Sequence, residues 1–246
     1  MNSTQNTVLI TGGASGIGLA LAERFLKHDN QVIICGRREE KLREAQTKHP
    51  GLLTRVCDVA SEADRIALLR WVERDHPHLN VLVNNAGIQR RLDLSKGEEW
   101  KNTREELVIN LEAPIHLSSL FIPHLLRQKN PTIVNVTSGL SFVPLANVPV
   151  YSATKAALHS FTLSLRHQLA KGPIGVVEII PPAVDTDLGG VGLHTFGVPL
   201  AEFADAVWVK LAAGEAEIAY GMSEKSSQAS RAGLEEMFRR LNGLAP

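Results

Sequence analysis

Cysteine is nearly absent from this chain, with Cys35 and Cys57 the two found in 246 residues. Two thiols cannot make the cross-linked framework that holds small secreted domains together. They read as inert buried thiols at the ends of neighbouring strands, close to any adenine edge those strands form. An excess of one charge is missing too: 26 basic residues face 26 acidic ones. That balance gives no electrostatic footprint for nucleic acid or an anionic membrane, and it does little to oppose self-association. No apolar run reaches the length of a membrane span. Residues 1–7 form a polar lead-in rather than a charged and then apolar leader, which predicts a cytoplasmic protein. The nine histidines lack H-E-x-x-H or comparable spacing, so no metal is assigned.

What the chain does have is alternation. Short apolar runs at 8–10, 31–35, 53–57, 80–83, 132–137, 176–180 and 217–220 read as strands. Stretches of helical spacing lie between them, at 19–26, 38–48, 61–75, 105–128, 151–169 and 200–213, with a closing stripe at 234–241. This predicts one α/β domain over residues 1–246. Its parallel sheet of seven strands is doubly wound, with helices on both faces and ligands at the strands' carboxyl ends.

The first strand runs into Thr11-Gly12-Gly13-Ala14-Ser15-Gly16-Ile17-Gly18, and a helix follows. Gly12, Ala14, Ser15, Gly16, Ile17 and Gly18 are therefore candidates to cradle a pyrophosphate at a helix N-terminus. A NAD site usually carries an acidic residue after the second strand, where this chain has Gly36-Arg37-Arg38. Guanidinium groups there favour NADP(H) over NAD(H), because they can bond a 2′-phosphate. The plainer reading makes Arg37 and Arg38 the start of a solvated helix. Asp58, followed by Val59, could accept from an adenine amine or simply begin the next helix. Asn84-Asn85-Ala86-Gly87 suits a loop that bonds neighbouring strands and lets a cofactor ring approach.

Tyr151 and Lys155 stand four apart at a helix start, on one face. A free phenol holds its proton to about pH 10, and a neighbouring ammonium should pull that value down. Ser138 closes the 132–137 strand, where its hydroxyl could bond a substrate oxygen. Together the three make a proton donor, its tuner and an oxyanion partner, although Y-x-x-x-K alone also suits an ordinary amphipathic helix. Pro114 cannot donate to the carbonyl of Asn110, which leaves that carbonyl free to hold a water, or merely kinks the helix. Leu140 and Phe142 sit in an apolar loop at 139–150. A glycine-rich segment at about 185–200, with Leu188 and Phe196, reads as a substrate lid. Arg90 and Arg91 face solvent or meet an anionic substrate or carrier.

In this order, Thr11-Gly12 to Gly18, Asn84 to Gly87, Ser138 and Tyr151 to Lys155 resemble the short-chain dehydrogenase/reductase family over nearly the whole chain. The resemblance implies a Rossmann-type fold with Tyr151 as general acid or base. Lys155 would be its tuner and a ribose ligand, and Ser138 the partner of the carbonyl oxygen. Asn110 would hold a relay water, and Thr186 would bond the nicotinamide amide, with Pro181 and Val184 beside it. Asn85, Ala86 and Gly87 would flank the cofactor, and Arg37 would be the NADP-type residue. The family often has Pro-Gly after the sixth strand, where this chain has Pro181-Pro182. Ser138-Gly139-Leu140 and the 182–188 segment are most similar to the DltE-like oxidoreductases.

The expected activity is NADP(H)-dependent reduction of an aldehyde or ketone with an apolar body, reversible with the alcohol. The alternatives are a 3-oxoacyl carrier-protein reductase and a non-catalytic NADP(H)-sensing module. A homodimer or homotetramer, joined through the 105–128 and 151–169 helices, is the expected assembly.

Overall fold

The computed structural model describes residues 2–97 and 100–244. The chain alternates β1 (Thr7–Thr11), α1 (Gly16–Lys27), β2 (Gln31–Gly36), α2 (Glu39–Lys48), β3 (Leu52–Val56), α3 (Glu62–Asp75) and β4 (Val81–Asn84). It continues through α4 (Trp100–Leu107), α5 (Ala113–Leu125), β5 (Thr132–Val136), α6 (Pro149–Leu169), β6 (Gly175–Ile180) and α7 (Leu200–Ala212). β7 (Glu217–Ala219), α8 (Met222–Ser227) and α9 (Arg231–Leu241) close it.

The strands form one parallel sheet in the order β3-β2-β1-β4-β5-β6-β7. Successive strand residues point to opposite faces, and here both faces are covered, so the strands read as continuous apolar runs. Val8 and Ile10 join Phe25, Phe203 and Trp208 on one face. Leu9 joins Leu68, Phe121 and Leu165 on the other. Each such side chain, fully buried, contributes about 1.5–3 kcal/mol. The strand order reverses between β1 and β4, and that switch point opens the crevice in which doubly wound sheets bind ligands.

Several expected boundaries move. The single helix expected over 105–128 begins earlier, at Trp100, and is divided into α4, a π turn at Val108–Glu112, and α5. Pro114 lies in the first turn of α5, where a missing N–H is tolerated. The amide of Ala113 reaches back to the Val108 carbonyl, widening the helix around Asn110. The helix expected from Tyr151 starts at Pro149. Helix α8 has no counterpart in the sequence reading. No residue of α9 is buried, so its apolar stripe is not core. No helix among the described residues is long and apolar enough to cross a membrane.

Candidate functional site

The glycine turn is tied to the loop after β4. The Thr11 hydroxyl donates to the Val83 carbonyl at 3.3 Å and accepts from the amides of Asn85 (3.0 Å) and Ala86 (3.1 Å). The Asn85 side chain donates to the carbonyls of Thr11 (2.9 Å) and Gly12 (3.2 Å). Gly12 has φ +64°, and a Cβ there would lie 2.9 Å from the Ala86 Cα. Asn84 turns the other way, donating to Ser118 on α5 and to Asn135 on β5. The N-terminus of α1 has no acidic residue in its first turn, and its N-cap, Ser15, makes no side-chain bond. Open amides at the positive end of a helix suit a pyrophosphate. Ala14 and Ile17 pack against the core behind this turn. Thr186, after β6, reaches it with its methyl 3.6 Å from the Cβ position of Gly16.

At the end of β2 the two arginines part. Arg38 is the exposed N-cap of α2, as the plainer reading had it. Arg37 reaches across to α4 and donates to Glu105 Oε1 at 3.1 Å. The other oxygen of Glu105 accepts from Arg90 at 2.5 Å, and Arg90 also donates to the Asn102 carbonyl at 2.7 Å. Asp58 does not cap α3; Ser61 does. Asp58 accepts instead from the Ala60 amide at 3.0 Å, and Val59 beside it is buried. Cys35 and Cys57 are both free and buried here, and the neighbouring Cys57 together with burial pushes the Cys35 thiol well up.

At the ends of β5 and β4, Ser138, Tyr151 and Lys155 are all buried. Lys155 Nζ donates to the Val136 carbonyl at 2.8 Å and lies 5.6 Å from the centre of the Tyr151 ring. Burial pushes the Tyr151 phenol up to about 12; the Ser138 hydroxyl opposes the shift, and Glu106 adds to it. The spacing predicts that Lys155 pulls the phenol down; in this structure the one group that lowers it is Ser138, and burial dominates. Burial likewise lowers Lys155 to about 8.

Asn110 is held by its side chain, which accepts from the Ile88 amide at 2.9 Å and donates to the Ile88 carbonyl at 2.8 Å and Thr154 Oγ1 at 3.3 Å. A Cβ on Gly87 would sit 3.4 Å from Asn110 Oδ1 and 3.8 Å from Lys155 Nζ, so glycine leaves these two groups facing one gap. π turns of this kind are frequent at functional sites.

The sequence reading missed Glu106. It lies one helical turn before Asn110, on the same face, and that spacing is the signal that could have found it. Its carboxyl is fully buried; Oε1 accepts from the Arg90 amide at 3.2 Å, while Oε2 has no partner among the described residues. Burial pushes it up to about 7, against the pull of Arg90. It also missed His159, one turn after Lys155, whose Nδ1 lies 2.9 Å from the buried carboxylate of Glu178. That carboxylate also accepts from Thr137 at 2.6 Å.

Leu140 and Phe142, expected to line a substrate pocket, are half-buried on the short turn after Ser138. The Gly139 amide donates to the Pro181 carbonyl at 2.9 Å, and Ser223 of α8 packs against Gly139. The 185–200 segment, expected as a lid, is pinned at its two ends: Val184 pairs with Val198, and the Asp185 amide donates to the Val198 carbonyl at 2.9 Å. Leu188 is half-buried, whereas Phe196, expected in the pocket, is 77% exposed. It lies two residues before Val198, next to the pairing with Val184. No cluster of His, Cys, Asp and Glu able to hold a metal ion occurs among the described residues.

The short chain dehydrogenase family model matches residues 6–191, from β1 through α6 and β6 into the segment that follows. The chain belongs to the short-chain dehydrogenase family. As a member it is an NAD(P)-dependent oxidoreductase, and the open N-terminus of α1 fits such a cofactor's pyrophosphate. It is 48% identical to the uncharacterized oxidoreductase DltE of Bacillus subtilis strain 168, over 98% of both chains, in keeping with the DltE-like motifs. A short chain dehydrogenase from Burkholderia cenocepacia J2315 in complex with NADP shares the fold with a TM-score of 0.85 at 24% identity, covering 100% of both chains. A short chain dehydrogenase/reductase from Burkholderia phymatum in complex with NAD also reaches 0.85, at 19% identity, over 100% of this chain and 99% of that one.

Proposed function

We propose that this dehydrogenase reduces an aldehyde or ketone with an apolar body to its alcohol, reversibly, with NADP(H). The observation that carries the reading is the buried trio of Ser138, Tyr151 and Lys155, with the ammonium anchored beside the phenol. When bound, the nicotinamide supplies or takes up a hydride. Tyr151 gives its proton to the carbonyl oxygen as that oxygen becomes an alkoxide. An alkoxide is a far stronger base than a phenolate, so even a phenol held near 12 yields its proton to it. Ser138 donates to the same oxygen, and Lys155 supplies positive charge to the phenolate left behind. Asn110 orders the Ile88 backbone beside this gap. Thr186, Pro181 and Val184 flank the nicotinamide side, and Leu140, Phe142 and Leu188 supply apolar contact to the substrate.

The preference for NADP(H) rests on Arg37, which stands where NAD enzymes carry an acid. Exposed Leu126 and Leu163, at the end of α5 and on α6, support a homo-oligomer through these helices. Two free cysteines suit a reducing cytoplasm. The carrier-protein alternative leans on Arg90 and Arg91, and Arg90 is already engaged by Glu105 and the Asn102 carbonyl. A sensing module would have no need of the buried trio.

The test is NADPH oxidation by the purified protein over aldehydes, diketones, cyclic ketones and 3-oxoacyl thioesters, with NADH in parallel. Turnover of an apolar ketone or aldehyde, faster with NADPH, supports the proposal. A strong preference for thioesters would favour the carrier-protein reading, and faster turnover with NADH would overturn the role of Arg37.

A further inference from the structure

Arg37, Glu105 and Arg90 form a row of cation, anion and cation that joins the end of β2 to α4. Both oxygens of Glu105 are taken, one by each guanidinium, at 3.1 Å and 2.5 Å. The row is asymmetric. Arg90 is held by a second bond, to the Asn102 carbonyl, and its side chain is 32% exposed. Arg37 gives Glu105 one donor, Nη1, and its side chain is 51% exposed. The pull of Arg90, and after it Arg37, holds the Glu105 carboxyl below the usual range, so it is an anion at neutral pH. Two cations and one anion leave one positive charge unmatched. A further anion arriving at Arg37 therefore meets a cation, and it also meets the carboxylate already bonded to that cation.

We propose that Glu105 is a specificity-determining residue for the cofactor, a resident anion that occupies Arg37 and must give it up to the 2′-phosphate of NADP(H). The inference rests on the reading of Arg37 as the 2′-phosphate ligand. Arg37 is the partner that leaves, because a solvated single-donor ion pair is weak, whereas a phosphate can take the guanidinium fork with paired donors. Glu105 then stays with Arg90. NAD(H) lacks the phosphate and leaves the Arg37–Glu105 pair closed. Glu105 thus lowers affinity for NADP(H) selectively and narrows the preference that Arg37 creates.

The experiment is equilibrium binding of NADPH and NADH, followed by nicotinamide fluorescence, to four proteins. These are the wild type, Glu105→Gln, Arg37→Ala and the double variant, each checked for an unchanged melting temperature. Glu105→Gln is expected to tighten NADPH roughly two- to fivefold, the scale of an exposed ion pair, with NADH unchanged. Glu105→Ala should act in the same direction and serves if the glutamine variant folds poorly. In the Arg37→Ala background the gain should vanish. Weaker NADPH binding in Glu105→Gln would overturn the proposal by making Glu105 an orienting partner. An equal change for both cofactors, or a gain that survives without Arg37, would also overturn it. If Arg37→Ala alone leaves NADPH affinity unchanged, the reading of Arg37 fails first, and that failure is visible independently of Glu105.

Discussion

Lys155 holds the Val136 carbonyl through Nζ at 2.8 Å while its ammonium lies 5.6 Å from the centre of the Tyr151 ring. One contact fixes the cation to the sheet, and the other keeps it near the phenol. Because both side chains leave the same face of α6, neither can shift without disturbing a buried neighbour. Replacing Tyr151 by Phe removes one oxygen and leaves this frame standing. Turnover should fall by at least about 10²–10⁴-fold, the usual weight of a positioned acid or base, while NADPH still binds. Near-normal turnover in Tyr151→Phe would remove the phenol from the mechanism.

Glu106 links the site to pH. Its carboxyl is raised from 4.5 to about 7 by burial, so the folded state holds its proton more tightly than the unfolded chain does. The associated stability is fully present below pH 4.5 and is lost as pH rises through 7, a change of about 3 kcal/mol. Glu106→Gln keeps an acceptor for the Arg90 amide and has nothing to ionise. Its stability relative to the wild type should therefore climb between pH 4.5 and 7 and stay level above, measured by urea unfolding at each pH. A difference independent of pH would mean that Glu106 does not titrate in this range. The ionised carboxylate also pushes the Tyr151 phenol up. In Glu106→Gln the rise of alcohol oxidation with pH should accordingly move to lower pH.

Gly12 has φ +64°, and a Cβ would lie 2.9 Å from the Ala86 backbone. Gly12→Ala should cost roughly 1–3 kcal/mol through left-handed strain and overpacking. It should also weaken both cofactors, because the turn and the 84–87 loop are displaced together. A melting temperature and NADPH affinity equal to the wild type would show that the turn relaxes freely.

Phe196 is 77% exposed, two residues before the Val184–Val198 pairing that closes the 185–200 segment. Phe196→Ala should leave stability within about 0.5 kcal/mol, as exposed substitutions do, and leave KM unchanged across the substrate panel. A KM that rises for the most apolar substrates would put Phe196 back in substrate contact.

The sequence by itself determined the sheet, because strands buried on both faces must be apolar throughout and helices must repeat near 3.6. It also determined the glycine turn, Ser138 at a strand end and the Tyr151–Lys155 pair, because turn chemistry and four-residue spacing are local. Tertiary structure decided the rest. Pro114 announces a break in the long helix, yet the π turn around Asn110 depends on how that helix packs against α6. Met-Ser-Glu-Lys-Ser-Ser of α8 has no apolar period, so its seat against Gly139 was invisible. Arg37 and Glu105 lie 68 residues apart, and only the fold makes them an ion pair. The phenol of Tyr151 is the sharpest case. Spacing foretold a cation that lowers it, whereas burial, which no local pattern encodes, raises it to about 12.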